Sequence, residues 1–123
     1  MFTKPRRAFL AGALAITMAG HAFAHAHLVS ATPPADGTVA ASPTELDLNF
    51  SEVLSLKFSG VKLAGPDKAL IATGAASLSG SNESTLVIPI PAALVAGTYA
   101  VDWHVLSRDG HKTHGSYTFT VKP

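Results

Sequence analysis

Three stretches of this chain alternate apolar and polar residues at every second position. In Glu45-Leu-Asp-Leu-Asn-Phe50 the apolar set is Leu46, Leu48 and Phe50; in Thr98–Val105 it is Tyr99, Val101, Trp103 and Val105; in Ser116–Lys122 it is Tyr117, Phe119 and Val121. Successive side chains of a strand point to opposite faces, so a period of two predicts three half-buried strands, with Asp102 and His104 on the far face or at the rim. Leu28–Ser30 and Phe58–Leu63 read as shorter strands. Thr85-Leu-Val-Ile-Pro-Ile90 is apolar and β-branched, and Pro89, which has no N–H to donate, predicts an edge or a strand end there. The small-residue stretch Lys68–Asn82 predicts one or two short edge strands. Thr32-Pro-Pro-Ala-Asp-Gly37, Ser42-Pro43 and Gly65-Pro66-Asp67 carry turn chemistry, and Pro91–Gly97 reads as a connecting turn or a single helical turn. Six or seven short strands with turn signals between them, and no sustained helical period, predict one all-β domain: an antiparallel sandwich or Greek-key barrel.

The first 24 residues stand outside that pattern. Lys4, Arg6 and Arg7 precede the apolar run Ala8–Ala19, and Ala22-Phe23-Ala24 supplies small residues at the positions a signal peptidase reads. The run is too short to span a bilayer, so a cleaved export signal is expected, of twin-arginine type if Arg6-Arg7-Ala8-Phe9-Leu10 is what the exporter reads and of Sec type otherwise. No other segment reads as transmembrane. The expected mature chain, residues 25–123, loses three of the nine basic residues and keeps all eight acidic ones, a net of −2. Nucleic acid is therefore excluded as an expected partner. The chain has no Cys, and both Met residues, Met1 and Met18, precede residue 25, so thiolate and thioether metal sites are excluded from the mature chain.

What remains for metal chemistry is nitrogen and oxygen. Asp109-Gly-His111-Lys-Thr-His114 places a carboxylate and two imidazoles in six residues, and His25-Ala-His27 stands at the expected new N-terminus. Cleavage after Ala24 gives His25 a free α-amine, which with the imidazole Nδ1 of the same residue closes a six-membered chelate. His111 is the best candidate for an opposing imidazole, and Asp109 adds a carboxylate oxygen. Such a set in a tetragonal arrangement suits Cu(II), the tightest-binding of the divalent series; Zn(II) uses the same atoms but prefers a tetrahedron. Asp109 and His111, two apart, share a face in extended backbone, and Gly110 between them admits a positive φ. His27 is an additional candidate ligand, whereas a surface-loop His is more often solvated, the expected state of His104 and His114. Trp103 reads as a core residue and Asp36 and Asp67 as turn residues.

The segments His25–Gly37, Leu48-Asn-Phe-Ser-Glu52, Ala96-Gly-Thr-Tyr-Ala-Val-Asp-Trp103, Ser107-Arg-Asp-Gly-His111 and Gly115-Ser-Tyr-Thr-Phe119 together resemble the CopC family of periplasmic copper-resistance proteins, in order over the whole of residues 25–123. The resemblance implies a seven-stranded, immunoglobulin-like Greek-key β-sandwich. It implies a Cu(II) site of the N-terminal His, an Asp and a His, matching His25, Asp109 and His111, with Glu52 as an outer-shell group near the metal. It also implies a periplasmic location and an inner-membrane partner of the CopD type. Some members carry a Cu(I) site in a Met-rich loop; with no Met after residue 18, this chain resembles the Cu(II)-only members. His104 and His114 depart from the pattern and are either incidental or a weak auxiliary site. The reading that follows is a copper carrier or buffer and not an enzyme. Its rivals are an oxidative copper enzyme of the N-terminal-His type, as in lytic polysaccharide monooxygenases, and a metal-free immunoglobulin-like interaction module.

Overall fold

A computed structural model describes residues 25–123, and the expected signal over residues 1–24 lies outside the described residues. Among the described residues nine strands form two sheets: β1 (Leu28–Thr32), β2 (Gly37–Val39), β3 (Glu45–Phe50), β4 (Gly60–Ala64), β5 (Leu70–Ile71), β6 (Ser77–Ser79), β7 (Thr85–Pro89), β8 (Gly97–Leu106) and β9 (Lys112–Val121). One sheet runs β1-β3-β7-β6 and the other β2-β9-β8-β4-β5. All pairings are antiparallel except β2 with β9. The architecture is the expected β-sandwich with a crossed strand order, and the strand count exceeds seven because three strands of two or three residues, β2, β5 and β6, pair at its edges.

The alternating residues meet between the sheets. Leu46, Leu48 and Phe50 from β3, Tyr99, Val101, Trp103 and Val105 from β8, and Tyr117, Phe119 and Val121 from β9 are all buried. Phe50 meets the Trp103 indole edge-on across the sandwich, ring centres 5.0 Å apart, and Tyr99 stacks on its register partner Phe119 at 5.5 Å. The indole covers the backbone at Gly115, where a β-carbon would lie 2.6 Å from its Cζ2, so only glycine fits beneath it. Pro89 closes β7, as a missing donor requires, though β7 lies inside its sheet.

Several boundaries differ from the sequence pattern. Leu56–Phe58 forms a 3-10 turn, so β4 begins at Gly60 and not at Phe58. The connection over 91–96 is irregular, bent at Ala92 and Ala96, with no helical turn. Asp36, with φ of 60°, does turn the chain, but the residues after it pair with β9 as β2. The last strand starts at Lys112, four residues before its apolar alternation. His114 therefore lies inside β9, paired in register with His104 on β8, and not in a preceding loop.

Candidate metal centre

The β8–β9 hairpin closes through Ser107 and His111, whose backbones pair: Ser107 N–H donates to the His111 carbonyl at 2.9 Å. Between them lie Arg108, Asp109 and Gly110. The Gly110 N–H donates back to the Ser107 carbonyl at 2.9 Å and Gly110 adopts φ of 96°. A three-residue hairpin loop with its last residue left-handed needs glycine there. Arg108 fastens the loop outward, its backbone N–H to the Val53 carbonyl at 2.9 Å and its guanidinium to Glu83 at 2.8 Å.

Ser107 organises what this loop presents. It is buried, and its hydroxyl donates to the Asp109 carboxylate while accepting the His111 N–H at 3.3 Å. That hydrogen bond, then the contact with His111, holds the exposed Asp109 carboxyl below the usual carboxylate value. The Asp109 Oδ1 lies 3.1 Å from His111 Nδ1. The approach is off the hydrogen-bond axis, for His111 Nδ1 is shielded from solvent and has no hydrogen-bond partner. An imidazole nitrogen left in that state beside an ionised carboxylate is chemically prepared for a cation.

His25 arrives from the other end of the chain. Ala26 is fully buried and anchors the entry to β1. Its carbonyl accepts a 2.7 Å hydrogen bond from Thr113 Oγ1, just past His111 on β9. His27 is tied to Ser51 by three contacts: its N–H to Ser51 Oγ at 3.0 Å, its carbonyl from Ser51 N–H at 3.0 Å, and its Nδ1 to Ser51 Oγ at 3.1 Å. With residues 26 and 27 fixed on both sides, the His25 imidazole lies beside that of His111, ring centres 4.7 Å apart and tilted by 51°.

The structure thus brings His25, His111 and Asp109 to one corner, from chain positions more than 80 residues apart. It directs the His27 Nδ1 to Ser51. Glu52 follows that serine, half-buried, and its carboxylate makes no ion pair among the described residues. His104 and His114 lie on the outer face of the second sheet. Among the described residues no three His, Asp or Glu side chains are drawn close enough to close around an ion as they stand. Ser107, Thr113 and Ser51 were not singled out from the sequence, since hydroxyl residues that hold a loop carry no metal-ligand signature.

A family model described as the CopC domain matches residues 28–122. Protein YobA of Escherichia coli K12 is 47% identical over 100 residues, which cover 81% of this chain and 81% of that one. Among solved structures, CopC from Methylosinus trichosporium OB3b superposes with a TM-score of 0.74 at 35% identity, over 80% of this chain and 95% of its own. PcoC, described as a methionine-rich copper resistance protein from Escherichia coli, superposes with a TM-score of 0.70 at 43% identity, over 80% of this chain and 100% of its own.

Proposed function

This chain belongs to the CopC family, and from that premise we propose that it binds Cu(II) in the periplasm and serves as a copper carrier or buffer in copper resistance. The observation that carries the reading is the pairing of His25 with His111 beside the Asp109 carboxylate. Removal of residues 1–24 would add the His25 α-amine to this corner and complete a three-nitrogen, one-oxygen set suited to a tetragonal Cu(II) ion. Absence of Cys and Met from residues 25–123 supports the oxidised ion over Cu(I), which prefers soft sulfur donors. In this respect the chain differs from the relative named as methionine-rich.

In the proposed site His25 supplies amine and imidazole, His111 the opposing imidazole, and Asp109 an oxygen. His27, engaged with Ser51, is a reserve ligand that must release that contact first, and Glu52 tunes the field from outside the coordination sphere. The corner is built at the surface on the tip of a hairpin. An ion there can be passed on without opening the core, the geometry a carrier needs when it delivers copper to an inner-membrane transporter of the CopD type. Copper titration followed by EPR, on protein beginning at His25, tests the reading. One tight equivalent with nitrogen hyperfine structure is expected, and His111→Ala or loss of His25 should abolish it; tight binding that survives both changes overturns the site. Competition with Zn(II) distinguishes the metal.

A further inference from the structure

We propose that His104 and His114 form a second, weaker site for a divalent cation of the Cu(II) type, on the outer face of the five-stranded sheet. The two residues are direct register partners on β8 and β9, and both are exposed. Opposed residues on antiparallel strands hold their β-carbons about 4.5–5.5 Å apart. Two imidazoles at that spacing can converge on one ion at the metal–nitrogen distance of about 2.0 Å. The strands fix the spacing, so the chelate needs no folding of a loop around the ion.

A third donor stands on the same face. Asp102 precedes His104 by two residues and pairs in register with Ser116, which makes it a diagonal neighbour of His114. Asp102, His104, His114 and Ser116 line one groove of about 500 Å³. Two nitrogens and a carboxylate oxygen suit Cu(II) ahead of the other first-row divalent ions.

The resting arrangement also sets the rank of the site. The His104 ring lies over β4, where a β-carbon on Gly60 would be 3.2 Å from its Cε1 and 3.5 Å from its Nε2. The two imidazoles are thus turned apart, and rotation of the exposed His104 side chain between staggered wells brings them together. Gly60, with no side chain, makes room for the ring in its resting position, which the ion must draw it out of. Lys57, Lys62 and Lys112 border the grooves that contain the pair, and Lys62 lies opposite Asp102 in register. Their repulsion of a cation is screened in solvent but not cancelled. The site therefore fills after the hairpin corner, as a second equivalent.

The two sites are separable by mutation, because His104 and His114 make no hydrogen bond or ion pair with His25, Asp109 or His111 among the described residues. Cu(II) is titrated past one equivalent into protein beginning at His25, with EPR at each step and imidazole NMR at sub-stoichiometric second equivalents. A second EPR component should appear in the unmodified protein and in His111→Ala. It should vanish in His104→Ala and in His114→Ala, while the first component of those variants is unchanged. Broadening of the His104 and His114 ring signals should accompany the second equivalent. Saturation at one equivalent, or a second component that persists in the double variant, overturns the proposal.

Discussion

A single buried hydroxyl decides how the hairpin corner presents its charge. Ser107 has one proton to give, and the Asp109 carboxylate takes it; the same oxygen accepts the His111 N–H. Ser107→Ala leaves the half-buried His111 N–H without its side-chain acceptor and removes the main cause of the lowered Asp109 pKa. The sign of the pH effect follows. A carboxyl whose folded pKa is depressed stabilises the fold above its ordinary value, and that contribution is lost as pH falls through the lowered one. In Ser107→Ala the Asp109 titration followed by carboxyl NMR should move up toward the ordinary carboxylate value, chemical denaturation should show a loss of about 0.5–1.5 kcal/mol, and copper affinity should fall. An unmoved Asp109 titration contradicts the assignment. Tyr117 is the opposite case. Its hydroxyl is buried without a partner, and burial pushes its pKa upward. Tyr117→Phe removes an unsatisfied polar group and keeps the ring, so the melting temperature should hold or rise, by no more than about 1 kcal/mol of added stability; a clear fall would reveal a partner for that oxygen.

At the scale of elements, the strands that bury one face were legible and those that do not were not. Leu46-x-Leu48-x-Phe50 and Tyr99 through Val105 announced themselves because the sandwich interior demands an apolar residue at every second position. Lys112-Thr-His-Gly115 carries no such alternation: Gly115 is small because the Trp103 indole lies over it, and the strand forms because β8 offers it a complete ladder. β2 was hidden for a related reason, since the Asp36-Gly37 turn that reads as an ending also begins a three-residue pairing. The proposed metal corner was legible in the residues that meet there, His25, Asp109 and His111, but not in its supports. Thr113 is the clearest of these. On the early, unmarked part of β9, its hydroxyl reaches the Ala26 carbonyl at 2.7 Å and fastens the N-terminal segment next to His111. Thr113→Val preserves shape and removes that tether. About 1 kcal/mol of stability should be lost, and copper binding should weaken through faster release from a less fixed His25, read as an increased dissociation rate in chelator competition. An unchanged rate would show that the metal, not the tether, sets the position of the N-terminus.

For the molecule as a whole, the proposed function depends on one peptide bond, that between Ala24 and His25. While Ala24 is attached, the residue 25 nitrogen is an amide and cannot join the chelate; once it is cut, that nitrogen becomes an amine that binds when deprotonated. Two mature forms differing by Ala24 alone should therefore share the same fold and circular dichroism but differ in Cu(II) affinity by more than about tenfold, roughly 1.4 kcal/mol or more. The difference should also appear in stability, because an ion that binds the folded state alone stabilises it by mass action. At a free concentration one hundred times the dissociation constant the gain is about 2.7 kcal/mol, on the order of 10 °C in melting temperature for a domain of this size. The form starting at His25 should show that shift, and the form starting at Ala24 much less of it at the same copper concentration. Acid should erase the distinction. Protons compete with the metal for its nitrogen donors as pH falls, whereas Asp109, whose pKa Ser107 lowers, keeps its charge to lower pH than an ordinary carboxylate. Copper release should thus track the nitrogen donors, with the thermal shift collapsing on mild acidification while the sandwich itself stays folded. A shift that persists until the carboxylates titrate would mean that oxygen, not the N-terminal nitrogen set, holds the ion.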